Sequence, residues 1–159
     1  MEKHILFLYR LCNTLHQKEY KRKTIKWFFV RGSIYLLYKY YSSLLSLLYG
    51  AYLPYNAKIG SNLNLNHSFY GIFISSNAVI GNNCTIVQHV TIGSNQPVSE
   101  DAPIIENNVF IGCNSCIIGN SVIGENSIIG AGVVIANSII PANSTVVGQK
   151  YRILETSFK

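Results

Sequence analysis

From residue 59 onward, aliphatic residues return every sixth position. The second half is the most regular: Ile105, Ile111, Ile117, Ile123, Ile129, Ile135, Pro141 and Val147 follow one another at intervals of six, with Pro141 the one exception to the aliphatic rule. An earlier run in another phase contains Ile74, Ile80, Ile86 and Ile92, and a first pair, Ile59 and Leu65, stands nine residues ahead of it. Three phases require two insertions. One adds three residues around Ser68 to Phe73, and the other adds seven between Ser94 and Pro103, where proline and acidic residues gather as they do in loops. A period of six is not a helical period, and finding it outranks any residue-by-residue assignment.

Within a unit the second position is often Gly, the fifth is small or β-branched, and the fourth is Asn at positions 62, 77, 83, 95, 108, 114, 120 and 126. Asn and Gly tolerate the left-handed backbone region, so each unit is expected to end a short strand in a corner there. Short strands with a corner every six residues stack into a parallel β-solenoid, with aliphatic ladders inside and backbone groups pairing between coils. The predicted fold is all-β: a left-handed parallel β-helix of hexapeptide repeats behind a short N-terminal helical segment. The expected divisions are a basic, aromatic-rich helical segment over 1–51, the solenoid over 52–152 with its loop insertion at 94–103, and a tail over 153–159.

The helical segment reads differently from the body. Leu36, Tyr40, Leu44 and Leu47 recur at helical spacing, and Trp27, Phe28 and Phe29 sit among Lys18, Lys21, Arg22, Lys23 and Lys26. Two readings follow: an interfacial helix held by anionic lipid, or a cap that closes the first coil and carries a solvated basic face. The window Ile34 to Pro54 is diluted by Lys39, serines and tyrosines below a membrane span, so membrane contact is expected to be peripheral. No signal-peptide pattern opens the sequence, because Glu2, His4 and Arg10 interrupt its first apolar cluster, and a cytoplasmic location is expected.

Charge sharpens this division. Residues 1–58 hold ten Lys or Arg against Glu2 and Glu19, whereas residues 59–149 hold none and carry Glu100, Asp101, Glu106 and Glu125. Positive charge returns at Lys150, Arg152 and Lys159. No nucleic-acid-binding module accompanies the basic segment, so nucleic acid is not an expected partner. Cys12, Cys84, Cys113 and Cys116 lack the paired spacing of a structural zinc site and read as reduced, small apolar fillers.

Two histidines fall in the solenoid. His67 immediately precedes the three-residue insertion, where the regular wall is interrupted. With three units per coil, the third positions form a column that reads His67, Gln88, Cys113, Ala131, Gln149, a strip along which a long thin ligand fits. His89 takes the fourth position of its unit, where a corner residue is the default reading and a residue bordering the acceptor pocket the alternative.

The units IGSNLN, IGNNCT, IGCNSC, IGENSI and IGAGVV resemble the left-handed β-helix of hexapeptide-repeat acyltransferases. The segments NHSFYGIFIS, QHVTIG, IGC, IGAG and TVVG are similar to the serine-acetyltransferase branch of that family. The resemblance implies acetyl-CoA as co-substrate, no metal, and a homotrimer with active sites between subunits. It implies His67 as general base toward an acceptor hydroxyl, with backbone N–H groups holding the oxyanion. It places the CoA arm along Gly112, Cys113, Gly130 and Ala131, with Lys150 and Arg152 near the phosphates.

Departures from that branch bear on the acceptor. Asn66 stands where the family has Asp before the catalytic histidine, and Ala102 precedes Pro103 where the family has a second histidine. A free amino acid wants a carboxylate beside its ammonium group, and none is evident near His67. The short basic segment followed by this solenoid is more similar to enzymes that O-acetylate capsule or exopolysaccharide sugars. The expected acceptor is therefore a sugar or polysaccharide, contacted by Asn66, Phe69, Tyr70 and His89, with serine or another small molecule as the alternative acceptor. A metal-dependent solenoid of the gamma carbonic anhydrase type needs three histidine ligands, more than two solenoid histidines supply. A non-catalytic trimeric scaffold is the remaining alternative.

Overall fold

The computed structural model describes residues 2–19 and 26–148 of the 159-residue chain. Lys21, Arg22, Lys23, Gln149, Lys150, Arg152 and the tail from 153 onward lie outside the described residues. The helices are α1 (Glu2–Glu19) and α2 (Lys26–Tyr49). The first coil holds β1 (Lys58–Ile59), β2 (Asn64–Phe69) and β3 (Phe73–Ile74), and the second β4 (Val79–Ile80), β5 (Thr85–Ile86) and β6 (Thr91–Gly93). The third holds β7 (Ile104–Ile105), β8 (Phe110–Ile111) and β9 (Cys116–Ile118). The fourth holds β10 (Val122–Ile123), β11 (Ile128–Ile129) and β12 (Val134–Ala136), and the last β13 (Ile139–Ile140) and β14 (Thr145–Val146).

These strands stack into three parallel sheets: β1-β4-β7-β10-β13, β2-β5-β8-β11-β14 and β3-β6-β9-β12, hereafter faces 1, 2 and 3. The architecture is the left-handed hexapeptide β-helix expected from the repeat, with helices at its N-terminal end. The six-residue period follows directly. Each strand contributes one inward aliphatic residue, and those residues stack coil on coil: Ile80, Ile105 and Ile123 on face 1, Ile86, Ile111 and Ile129 on face 2, and Ile74, Ile92, Ile117 and Ile135 on face 3. Nearly all are fully buried, each stabilising the fold by roughly 1.5–3 kcal/mol. Three serines also face inward, and their hydroxyls donate to main-chain carbonyls: Ser115 to Gly130 (2.8 Å), Ser121 to Ile118 (2.7 Å) and Ser127 to Pro141 (3.0 Å). Small hydroxyl side chains thereby fill tight corners without leaving a buried polar atom unpaired.

The left-handed corners are selective. Asn62, Asn83, Asn108, Asn126 and Asn143, all between faces 1 and 2, have positive φ, and between faces 2 and 3 Gly71, His89, Asn114 and Gly132 do. Asn77, Asn95 and Asn120 do not, because the chain turns from face 3 to face 1 by wider paths. The first corner also carries a side-chain ladder in which Asn62, Asn83, Asn108, Asn126 and Asn143 pass hydrogen bonds of 3.0–3.2 Å from coil to coil.

The final coil departs from the eight-unit run. Ile123 pairs with Ile140 and Ile129 with Val146, so the ladder positions are Ile140 and Val146, not Pro141 and Val147. The turn after β12 is one residue shorter. Val122 N donates to Ser138 O as Ile104 N does to Ser121 O, and Asn137 takes the left-handed position of Gly119, leaving Asn120 without a counterpart. Pro141 and Val147 are consequently exposed.

The helices cap the open first coil. Ile5 and Tyr9 of α1 and Tyr41 and Leu45 of α2 are buried against it, and Cys12 of α1 is buried too. Their polar groups answer carbonyls that no preceding coil can pair: Tyr9 Oη donates to Ala57 O (2.5 Å), Tyr41 Oη to Leu53 O (2.9 Å), Asn13 Nδ2 to Tyr55 O (2.6 Å) and Arg10 Nη2 to Gly60 O (3.2 Å). Burial pushes the Tyr9 phenol up to about 12 and the Tyr41 phenol above its ordinary value. Gly50, in the left-handed region, ends α2.

Candidate functional site

The wall is interrupted at the corner between faces 2 and 3 of the first coil. Leu65 pairs with Ile86, whereas His89 N donates to Tyr70 O (2.8 Å), setting Gly71 opposite His89. Six residues therefore cover a path that takes three in the next coil, and the extra residues are His67, Ser68 and Phe69. His67 is thus the first residue of the insert rather than the residue before it, which corrects the span of 68 to 73 expected from the repeat. Hydrogen-bond register places Tyr70, not His67, opposite Gln88.

The insert has a local cause. Ser68 adopts the left-handed region (φ 60°), which reverses the chain, and Phe69 (1% exposed) turns into the core with its ring 5.9 Å from that of Tyr49. With Phe69 anchored inside, His67 and Asn66 stand outside, both exposed. Phe69 accordingly belongs to the core, and its ring offers no surface to an acceptor, contrary to the expectation from sequence. Tyr70 is 53% exposed, with its ring 5.1 Å from that of Tyr49 in an edge-on arrangement. Ser68 Oγ and Gln88 Oε1 are enclosed without a hydrogen-bond partner.

His89 has φ 58° and its ring covers Gly71, where a Cβ would lie 2.1 Å from Nδ1. Gly71, itself left-handed, is therefore required twice over. His89 forms the corner, and it lies exposed beside Tyr70 at the edge of the insert.

Below this corner the strip continues. Asn114 N donates to Gln88 O (3.2 Å) and Gly132 N to Cys113 O (2.8 Å), so Gln88, Cys113 and Ala131 follow one another down the column. The final coil's shorter turn puts Gly148 at the end of this column in place of Gln149. From Tyr70 to Ala131 is three coil steps, about 14 Å at ~4.8 Å per step. Gly112 is buried, and a Cβ there would lie 2.6 Å from Ala131 N, so its lack of a side chain allows the coils to close. Gly130 has more room, with Val146 O at 3.1 Å. Cys113 is half-buried and Ala131 exposed. Among the described residues no group of three His, Cys, Asp or Glu is placed to hold a metal ion.

Sequence reasoning missed a second aromatic feature. Tyr52 bridges Phe73 in parallel register on face 3, 21 residues apart. That is the same spacing as Ile59 to Ile80, so counting back from Phe73 finds it.

Residues 102–137 match the family described as bacterial transferase hexapeptide (six repeats). The fold is similar to serine acetyltransferase from Neisseria gonorrhoeae in complex with serine, at 32% identity and TM-score 0.72, covering 92% of this chain and 54% of that one. Soybean serine acetyltransferase complexed with serine matches at 28% identity and TM-score 0.72, covering 94% and 56%. Serine acetyltransferase isoform 3 from Entamoeba histolytica, in complex with cysteine, shares the fold at 24% identity and TM-score 0.71, covering 98% and 50%. The chain spans about half the length of these structures. No curated protein sequence matches it.

Proposed function

We propose that this chain, which carries the bacterial transferase hexapeptide repeat on a fold shared with serine acetyltransferases, is an acetyl-CoA-dependent O-acetyltransferase. The observation that carries the reading is the insert at the corner of faces 2 and 3. It leaves His67 exposed three residues before Tyr70, which heads the column running through Gln88 to the small residues Cys113 and Ala131, a strip long enough for an extended thioester arm. In the proposed reaction the His67 imidazole takes the proton of an acceptor hydroxyl as its oxygen attacks the thioester carbonyl. The tetrahedral oxyanion is held by main-chain N–H groups, and it collapses with loss of the CoA thiolate, which receives the proton from the imidazolium.

Two acceptors are in view. Serine is supported by the structural relatives, two of which hold it. A sugar hydroxyl of a surface polysaccharide or its precursor is supported by the chemistry beside His67. Asn66 offers hydrogen bonds and no charge, and Tyr70 presents an exposed ring; elsewhere in the chain Ala102, without a titratable group, precedes Pro103. Lys150 and Arg152 are proposed for the CoA phosphates.

The assembly we propose is a homotrimer, supported by exposed apolar side chains along faces 1 and 2, among them Ile104, Phe110 and Ile128. Tyr35, Leu36, Tyr40 and Leu47 are exposed along α2, and the first 58 residues carry a net charge of +8, ten basic against two acidic. That combination supports peripheral contact with the inner face of the cytoplasmic membrane. No described helix is long and apolar enough to cross one. Flotation with phosphatidylglycerol vesicles, and none with phosphatidylcholine alone, is the expected outcome.

A thermal-shift titration tests the donor. Acetyl-CoA at a hundredfold excess over its dissociation constant stabilises a folded binder by about 2.7 kcal/mol, a rise of several degrees. Release of free CoA with serine or with neutral oligosaccharides then decides the acceptor. Absence of any saturable shift overturns the reading.

A further inference from the structure

Face 3 carries a groove outside the strip described above. Its outward column reads Tyr52, Phe73, Thr91, Cys116, Val134 from the N-terminal end. Tyr52 and Phe73 occupy adjacent rungs, about 4.8 Å apart, and are 42% and 48% exposed, so two aromatic side chains face outward from neighbouring coils. The groove is a shallow, open depression of about 350 Å³, and Ser75, Thr91, Ser94 and Gln96 line it beside the two aromatic residues. The Ser75 and Ser94 hydroxyls lie 3.2 Å apart. The loop that begins at Ser94 closes on itself, with Asn95 N donating to Asp101 O (3.2 Å), and is tied to the body where Asn77 Nδ2 donates to Glu100 O (3.0 Å).

No residue lining the groove carries a formal charge. A nucleotide or acyl-CoA would bring phosphates to a body with no Lys or Arg between 59 and 149. A lipid tail or apolar peptide would strip water from Ser75, Ser94 and Gln96 without replacing it. A pyranose satisfies both parts: its C–H face covers an aromatic ring while its hydroxyls meet hydroxyl and amide groups at the rim.

We propose that this groove binds a pyranose unit of a neutral glycan, as a subsite distinct from the position of the hydroxyl that His67 would deprotonate. What the bound glycan is for rests on the acetyltransferase reading; the binding itself does not. His67 and Phe73 flank the same corner, separated by residues 68–72, so a chain seated on Phe73 leads toward the insert.

The test is an array of neutral hexose and N-acetylhexosamine oligosaccharides, with sialylated and uronic-acid oligosaccharides for comparison, probed with the full chain. Neutral oligosaccharides are expected to bind. Binding should fall at least tenfold in Phe73→Leu, which keeps apolar bulk but loses the flat face, and persist in Phe73→Tyr. No binding on the array, binding of acidic glycans alone, or undiminished binding by a folded Phe73→Leu protein overturns the proposal. CoA release is measured separately. Glycan binding without acetyl transfer would remove the transferase reading and leave the groove, whereas acetylation of serine by a protein that binds no glycan would do the reverse.

Discussion

Replacing Asn108 tests whether the left-handed corners hold the solenoid together. Asn108 has φ 58°, its Nδ2 donates to Asn126 Oδ1 (3.1 Å) and Glu125 Oε1 (3.2 Å), and its Oδ1 accepts from Asn83 Nδ2 (3.2 Å). Alanine at a left-handed position costs roughly 1–2 kcal/mol. The ladder bonds are solvent-exposed, so each contributes at the low end of about 0.5–1.5 kcal/mol. Asn108→Ala is therefore expected to destabilise by about 2.5–3.5 kcal/mol. Asn108→Gly loses the same ladder bonds without the backbone penalty and should cost about 1.5 kcal/mol. Asn120→Ala, at an exposed Asn outside the left-handed region, should stay within about 0.5 kcal/mol. Urea midpoints at fixed protein concentration measure all three. Equal losses for Ala and Gly at 108, or an Asn120→Ala loss as large as that of Asn108→Ala, would refute the corner argument.

Three further outcomes follow from the packing. Gly112→Ala forces a Cβ to within 2.6 Å of Ala131 N and should cost about 1–3 kcal/mol by thermal unfolding, whereas Gly130→Ala, with its nearest neighbour at 3.1 Å, should cost less than about 1. Burial raises the Tyr9 phenol to about 12, above its unfolded value near 10, so its contribution is complete below pH ~10 and lost as pH rises through 12. Urea midpoints should fall across that window, and less steeply in Tyr9→Phe. Alkylation of Cys113, half-buried in the strip, should slow when CoA is present; equal rates with and without CoA would remove Cys113 from the donor site.

The coil period, the second insertion and the presence of an interruption near His67 were legible because each inward aliphatic residue is fixed by the core beneath it, whereas the bounds of the first insertion were not. Corners were legible only in part. Asn62 and Asn77 look alike in sequence, yet only the first sits where the chain must reverse in one residue. The one-residue slip in the last coil escaped notice because Ile139-Ile140-Pro141 offers two phases, although a proline at an inward position was itself the signal. Phe69 was misread for a related reason: the left-handed Ser68 sends the next side chain inward, and no periodicity within a three-residue insert reveals that. The capping hydrogen bonds from Tyr9, Asn13 and Tyr41 join residues 12 to 48 apart, a relation no local pattern carries.

The central claim is that His67 is the base of an acetyl-CoA-dependent transfer. The most direct measurement is the rate of CoA release by His67→Gln and by the wild-type protein, with acetyl-CoA binding followed in parallel by thermal shift. Loss of the general base predicts a fall of about 10²–10⁴-fold in kcat with the acetyl-CoA shift unchanged. A His67→Gln protein that turns over at the wild-type rate would contradict the account.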